Sequence, residues 1–96
     1  MSYSLNRFLR PLQDTDKTVR IFDDRNYPVH TINPFSVLRI FVTNSNLNIA
    51  LSGNRTIVLD FPSYEETKDA LKKLQLYVDQ LKQKAPQVIN QETEKY

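Results

Sequence analysis

The chain of 96 residues contains no cysteine and a single glycine, and each scarcity excludes a class of site. Without cysteine there can be no disulfide, no thiolate metal site and no cysteine nucleophile. One glycine cannot build the glycine-rich loop that holds nucleotide phosphates. The only histidine, His30, lies in a short extended stretch with no base or nucleophile near it in sequence, which is typical of a structural or surface residue. We therefore predict a protein that is not an enzyme, with no catalytic residues and no cofactor.

Long hydrophobic runs and a strong excess of one charge are also lacking. No apolar run approaches the length that spans a membrane, and Arg7 and Arg10 interrupt the apolar residues near the N-terminus, unlike a signal peptide. The formal net charge of +2 is too small to indicate nucleic acid from electrostatic steering alone. The length corresponds to one domain, for which we expect a cytoplasmic setting, no membrane and no small-molecule substrate.

Acidic residues cluster in two places, and both favour turns over a metal site. The residues are Asp14, Asp16, Asp23 and Asp24. They lack the spacing and the glycine of a calcium-binding loop, whereas aspartate commonly stabilises turns through hydrogen bonds to the backbone. We predict no metal site.

The chain divides into an N-terminal arm (1–16), a domain with a sheet and a helix (17–86), and a flexible C-terminal tail (87–96). The arm is basic and partly apolar, and Phe8 and Leu9 are costly to leave in water. Two interpretations remain open for these two residues: they contact a partner or adjacent subunit, or the arm covers an open sheet edge of its own domain.

Alternation of apolar and polar residues predicts three strands at 37–43, 46–51 and 56–61. A two-residue loop at 44–45 would match the apolar faces of the first two strands through the pairs Val42–Leu47, Ile40–Ile49 and Leu38–Leu51. A three-residue loop at 53–55, with a positive φ at Gly53 or Asn54, would match the next two through Leu51–Ile57, Ile49–Leu59 and Leu47–Phe61. Two earlier stretches, 18–22 and 27–32, read as shorter strands whose pairing the pattern leaves open.

A capping box predicts the start of a long helix after the last strand. Ser63 can accept a hydrogen bond from the Glu66 amide while the Glu66 carboxylate reaches back. Apolar residues then recur at spacings of three and four, at Leu71, Leu74, Val78 and Leu81, and Pro86 ends the helix. The predicted fold is α+β: a small antiparallel β-meander of four to five strands packed by one C-terminal amphipathic helix.

The predicted outer sheet face carries aromatic, basic and apolar residues together. One row would contain Arg39, Ala50 and Val58, and the next would contain Phe41, Asn48 and Asp60, with Arg20 and Phe22 as candidates to extend the face. Such a face could bind single-stranded nucleic acid by stacking and charge, or it could be buried against protein. The apolar members favour protein.

Leu76 lies outside the apolar arc of the helix and is either an ordinary exposed leucine or a contact with a neighbouring subunit. Taken together, the candidate partner-binding residues are Phe8, Leu9, Arg20, Phe22, Arg39, Phe41, Val58 and Leu76.

Residues 54–74, NRTIVLDFPSYEETKDALKKL, resemble a segment of tailed-phage virion proteins, in which the last strand of a hairpin runs into a helix with acidic residues at its start. The segment covers under a third of the chain. Fibre, neck and adaptor proteins with such segments are usually oligomeric and non-enzymatic. The resemblance implies a structural module in a symmetric homo-oligomer, with itself and other structural proteins as partners, in a virion or in the cytoplasm of the host cell.

The order of elements is also similar to the four-strands-then-helix unit of the PUR and Whirly group of single-strand binders. That likeness implies the alternative function, single-stranded nucleic acid binding. Basic residues are scarce on the outer face compared with that group, and a similar fold does not by itself confer the function.

Overall fold

A computed structural model describes residues 3–84 and shows five strands and one long helix. The strands are β1 (Val19–Phe22), β2 (Pro28–Ile32), β3 (Val37–Thr43), β4 (Asn46–Leu51) and β5 (Arg55–Asp60), and the helix is α1 (Tyr64–Lys84). A short 3-10 helix at Pro34–Ser36 leads into β3. The predicted α+β fold is confirmed. The end of the helix at Pro86 and the tail at 87–96 lie outside the described residues.

The five strands form two antiparallel sheets. β1 pairs with β2 in a hairpin, and β3, β4 and β5 form a separate three-stranded sheet with β4 in the middle. The proposed extension of the outer face by Arg20 and Phe22 is therefore wrong, because β1 has no hydrogen-bonded neighbour in the three-stranded sheet.

The predicted register of β3 and β4 holds except where β3 begins. Ile40 lies opposite Ile49, and the two-residue loop that follows has a φ of 57° at Asn44. Leu51, however, lies opposite Val37 rather than Leu38, because the register shifts between Val37 and Arg39. A bulge adds one residue to a strand without a partner, and alternation alone does not reveal where it occurs.

The loop between β4 and β5 has the predicted length of three residues, but the pairing is displaced by two. Leu47 lies opposite Leu59 and Ile49 opposite Ile57, with residues 52–54 as the loop. Gly53 has a φ of 82° in that loop. Side chains alternate with a period of two, so a displacement of two residues keeps the same side chains on the core face, and the pattern cannot distinguish the two registers.

The capping box forms at the start of α1. The Glu66 amide donates to Ser63 Oγ at 3.2 Å, and the Ser63 hydroxyl donates to the Glu66 carboxylate at 3.5 Å. From there one side of the helix is buried in the core, through Thr67, Ala70, Leu74, Val78 and Leu81. These residues pack with buried side chains of β4 and β5 in one cluster.

The N-terminal segment closes on its own domain. The Phe22 amide of β1 donates to the Phe8 carbonyl at 2.9 Å, and the Phe8 ring meets the Phe61 ring edge-on with centroids 5.2 Å apart. Phe8 has no exposed surface and Leu9 is 3% exposed. Of the two interpretations left open for these residues, the structure therefore shows packing within the chain, and neither side chain is a surface contact.

We expect Phe8→Ala to lower the free energy of unfolding by about 3–5 kcal/mol, because it leaves a cavity where a fully buried ring joins two sheets. Urea unfolding followed by circular dichroism measures this loss. Phe35→Ala is a matched control, since Phe35 is 54% exposed, and its effect should stay within about 0.5 kcal/mol. Equal losses in the two variants would contradict the role assigned to Phe8.

Candidate interaction surface

The seven-residue strand β3 has no buried side chain, although it is the most apolar strand of the sheet. Its apolar residues are Val37, Leu38, Ile40, Phe41 and Val42; Leu38 is 68% exposed and the others are half-buried. Leu47 and Ile49, which lie opposite Val42 and Ile40 on β4, have no exposed surface. The side chains that face the core are therefore fully buried on β4 and only partly buried on β3.

Two hydrogen bonds beyond the strand ends show which backbone groups of β4 face which neighbour. The Phe61 amide donates to the Ser45 carbonyl on the β5 side, and the Ser52 amide donates to the Ser36 carbonyl on the β3 side, both at 2.9 Å. Backbone groups along an antiparallel strand point alternately to its two neighbours. The even-numbered residues of β4 therefore bond to β3, and the odd-numbered ones bond to β5.

The same alternation identifies the free backbone groups of β3. Phe41 lies opposite Asn48, so its N–H and C=O groups face β4. Ile40 and Val42 then direct their N–H and C=O groups away from the sheet, where no described strand pairs with them. An apolar edge with unpaired backbone groups is a template for a further strand.

The opposite edge of the sheet is partly covered. By the same rule Val58 and Asp60 point their backbone groups away from β4, and the Tyr3 amide donates to the Asp60 carbonyl at 2.9 Å. The N-terminal segment thus occupies one end of the β5 edge, and no such contact exists along β3 within residues 3–84.

The outer face of the sheet brings three of the predicted residues together. The Arg39 guanidinium lies 4.3 Å from the centroid of the Phe41 ring. Phe41, Asn48 and Val58 form one row across the three strands, so Val58 belongs to the row of Phe41 and not, as predicted, to that of Arg39. Val58 is 50% exposed, and the Asn48 amide group donates to Thr43 Oγ1 at 2.8 Å. The face therefore combines a cation, an aromatic ring, an apolar side chain and an amide that is hydrogen-bonded to a neighbouring strand.

The remaining predicted residues lie elsewhere. Arg20 is exposed and Phe22 is buried, both on β1 in the other sheet. Leu76 is 53% exposed on α1.

The open edge of β3 was not predicted from the sequence. Lysine and proline commonly protect exposed strand edges, and residues 37–43 contain neither, so their absence could have indicated it.

Three titratable residues, Asp23, Tyr3 and His30, have surroundings that the structure defines. Asp23 Oδ1 accepts hydrogen bonds from the Arg25 and Tyr27 amides, both at 2.9 Å, which is the turn role predicted for it. Burial, then the nearby Asp23, raises the pKa of Tyr3. Burial lowers the pKa of His30, since a protonated imidazole loses hydration on β2. Within residues 3–84 no group of acidic or histidine side chains is arranged to hold a metal ion.

Comparison with known proteins finds no matching family model, no similar curated protein and no similar solved structure. Among residues 3–84 there is no helix with the length and apolar character needed to cross a membrane.

We expect the protein to lose stability as the pH falls through the lowered pKa of His30, below the ordinary value of 6.5. The unfolded chain binds a proton more readily than the folded one there, so this contribution is complete above the ordinary value and disappears on the acid side. Urea unfolding of the wild type and of His30→Gln across this range measures it. The same loss of stability in the variant would assign the effect to other groups.

Proposed function

We propose that this chain is a non-enzymatic assembly module that forms a symmetric homo-oligomer by pairing β3 with β3 of a second copy. The observation that carries the proposal is the open edge of β3, which combines unpaired backbone groups at Ile40 and Val42 with half-buried apolar side chains. A second strand would supply both missing partners at once.

A second copy fits this edge because β3 is compatible with itself in antiparallel pairing. A two-fold axis at Ile40 would place that residue opposite its own copy and Arg39 opposite Phe41 of the second copy. Inner faces would then meet inner faces, and the two arginines would not lie directly opposite each other. The stacking of Arg39 on Phe41 that occurs within one chain at 4.3 Å could continue between two chains.

Pairing would also complete the core. Val37, Ile40 and Val42 pack against the core and are only half-buried, so a neighbouring strand and its helix would remove further apolar surface from water. Each square ångström of apolar surface buried contributes about 25 cal/mol to the free energy of association. In a symmetric contact both copies bury the same surface, so the contribution counts twice. The free energy of association would therefore come from apolar surface that is exposed to solvent in the single chain.

The outer face supports protein contact over single-stranded nucleic acid. Arg39 already lies over the Phe41 ring, which a base would need as a stacking platform, and Asp60 lies on the same face. The virion setting that the resemblance of residues 54–74 implies belongs to the same proposal, since a module of this kind acts through its position in an assembly.

We expect the wild type to sediment at twice the 11.3 kDa mass of one chain and Val42→Pro to sediment at that single mass. Proline removes an N–H group that faces the open edge and leaves the bonds to β4 in place. Val58→Pro is the matched control, because its N–H group faces the other edge, and it should leave the oligomer intact. Circular dichroism verifies that each variant is folded.

A wild type that remains a single chain at millimolar concentration would overturn the proposal, as would a Val42→Pro variant that is folded and still oligomeric. If Val42→Pro does not fold, Phe41→Lys on the outer face provides a second test, since it places a positive charge directly opposite Arg39 of the second copy and should weaken the pairing. Binding of a single-stranded oligonucleotide that weakens steeply with salt and requires Arg39 would instead favour the alternative function.

A further inference from the structure

A cavity of about 260 Å³ lies beside β1, and no residue of β3 belongs to its lining. Its lining includes two arginines, Arg10 from the N-terminal segment and Arg20 from β1, together with Phe22, Thr18 and Tyr77. The three elements that form it are the chain before β1, β1 itself and α1. The cavity thus exists only because these elements pack against each other.

The two guanidinium groups are held at one aromatic ring. Arg10 lies 4.3 Å and Arg20 5.9 Å from the centroid of the Phe22 ring. Phe22 is 5% exposed, and its amide is bonded to the Phe8 carbonyl, so the ring is a fixed platform. Arg10 is well within the range of a cation–π contact with this ring, and Arg20 is at the limit of that range. Neither contact uses the N–H groups of the guanidinium as hydrogen-bond donors, so these can bind a ligand.

No carboxylate within residues 3–84 forms an ion pair with Arg10 or Arg20. Two cations close to one ring repel each other, and the carboxylate in the cavity lining, that of Asp16, forms no ion pair with either of them. An anion bound between them would relieve this repulsion and would receive the paired N–H groups that suit phosphate and carboxylate oxygens.

We propose that this cavity binds the phosphate group of a small phosphate monoester. Two guanidinium groups match the charge of about −2 that a phosphate monoester carries at neutral pH. Thr18 and Tyr77, which also line the cavity, carry hydroxyl groups of the kind that can donate to the remaining oxygens. The volume admits the phosphate and the first atoms of its ester, and the rest of the ligand would extend into solvent.

One acidic residue, Asp16, also lines the cavity. Its Oδ2 accepts a hydrogen bond from the Gln13 amide at 2.7 Å, which ties the carboxylate to its own turn. Its charge would still repel a phosphate. Asp16→Asn keeps an oxygen that can accept the Gln13 bond and removes the charge, so it should strengthen binding, whereas loss of either arginine should weaken it.

Isothermal titration of the full chain with inorganic phosphate and with O-phosphoserine tests the proposal. We expect saturable binding at a single site, weakened about tenfold or more by Arg10→Gln or Arg20→Gln. Arg20→Lys should recover part of the loss, since it restores the charge but not the fork of N–H groups. Arg55→Gln, at the start of β5 and outside the lining of the cavity, is the matched control and should leave the affinity unchanged.

Saturable binding of both ligands, or of O-phosphoserine alone, supports the proposal, and the second result shows that the ester contributes. Absence of saturable binding overturns it, as does equal weakening by Arg55→Gln, which would indicate non-specific attraction. Circular dichroism verifies that the arginine variants are folded. If they are not, Asp16→Asn decides: tighter binding supports the site, and unchanged affinity overturns it.

Discussion

The burial of Phe8 is the interaction on which the rest of the structure depends. Its carbonyl accepts the Phe22 amide of β1, its ring packs edge-on against Phe61 at the end of the three-stranded sheet, and the Lys73 ammonium of α1 lies 5.8 Å from the ring centroid. One residue therefore touches both sheets and the helix, which share no hydrogen-bonded strand pair. Two small sheets and one helix have limited cores of their own, so a side chain that joins all three makes them a single domain.

The path of the N-terminal segment makes the two edges of the larger sheet different. The segment donates a hydrogen bond to β5 through the Tyr3 amide, packs its Phe8 ring against Phe61, and continues to β1. β3 lies on the far side of the sheet from this path and keeps free backbone groups along an apolar strand. The interaction surface that we propose and the arginine cavity beside β1 thus both follow from where one segment packs.

Much of the fold could be predicted because it is encoded by near neighbours. The cap at Ser63 and the loop at Asn44 depend on a few consecutive residues and formed where predicted. The second loop has the predicted length and a positive φ at Gly53, but it lies one residue earlier than predicted. Register was predicted less well, since a period of two does not distinguish pairings two residues apart and does not reveal the bulge before Arg39. Of the candidate site, Arg39, Phe41 and Val58 do share a face, whereas Arg20 and Phe22 lie in another sheet.

The strands, the helix and most of the side chains that face the core could be predicted, because they follow from the periodicity of a strand or helix and from the chemistry of caps and turns. Leu38 is the exception, since it was predicted on the core face and is 68% exposed beside the bulge. The packing of the chain, in contrast, buries Phe8 and Leu9 within the domain, leaves β3 as an open edge and places Arg10 and Arg20 near the Phe22 ring. These features depend on contacts between segments far apart in sequence. No local pattern specifies such contacts, since each segment could bury the same apolar face against several partners, and packing of the whole chain selects one.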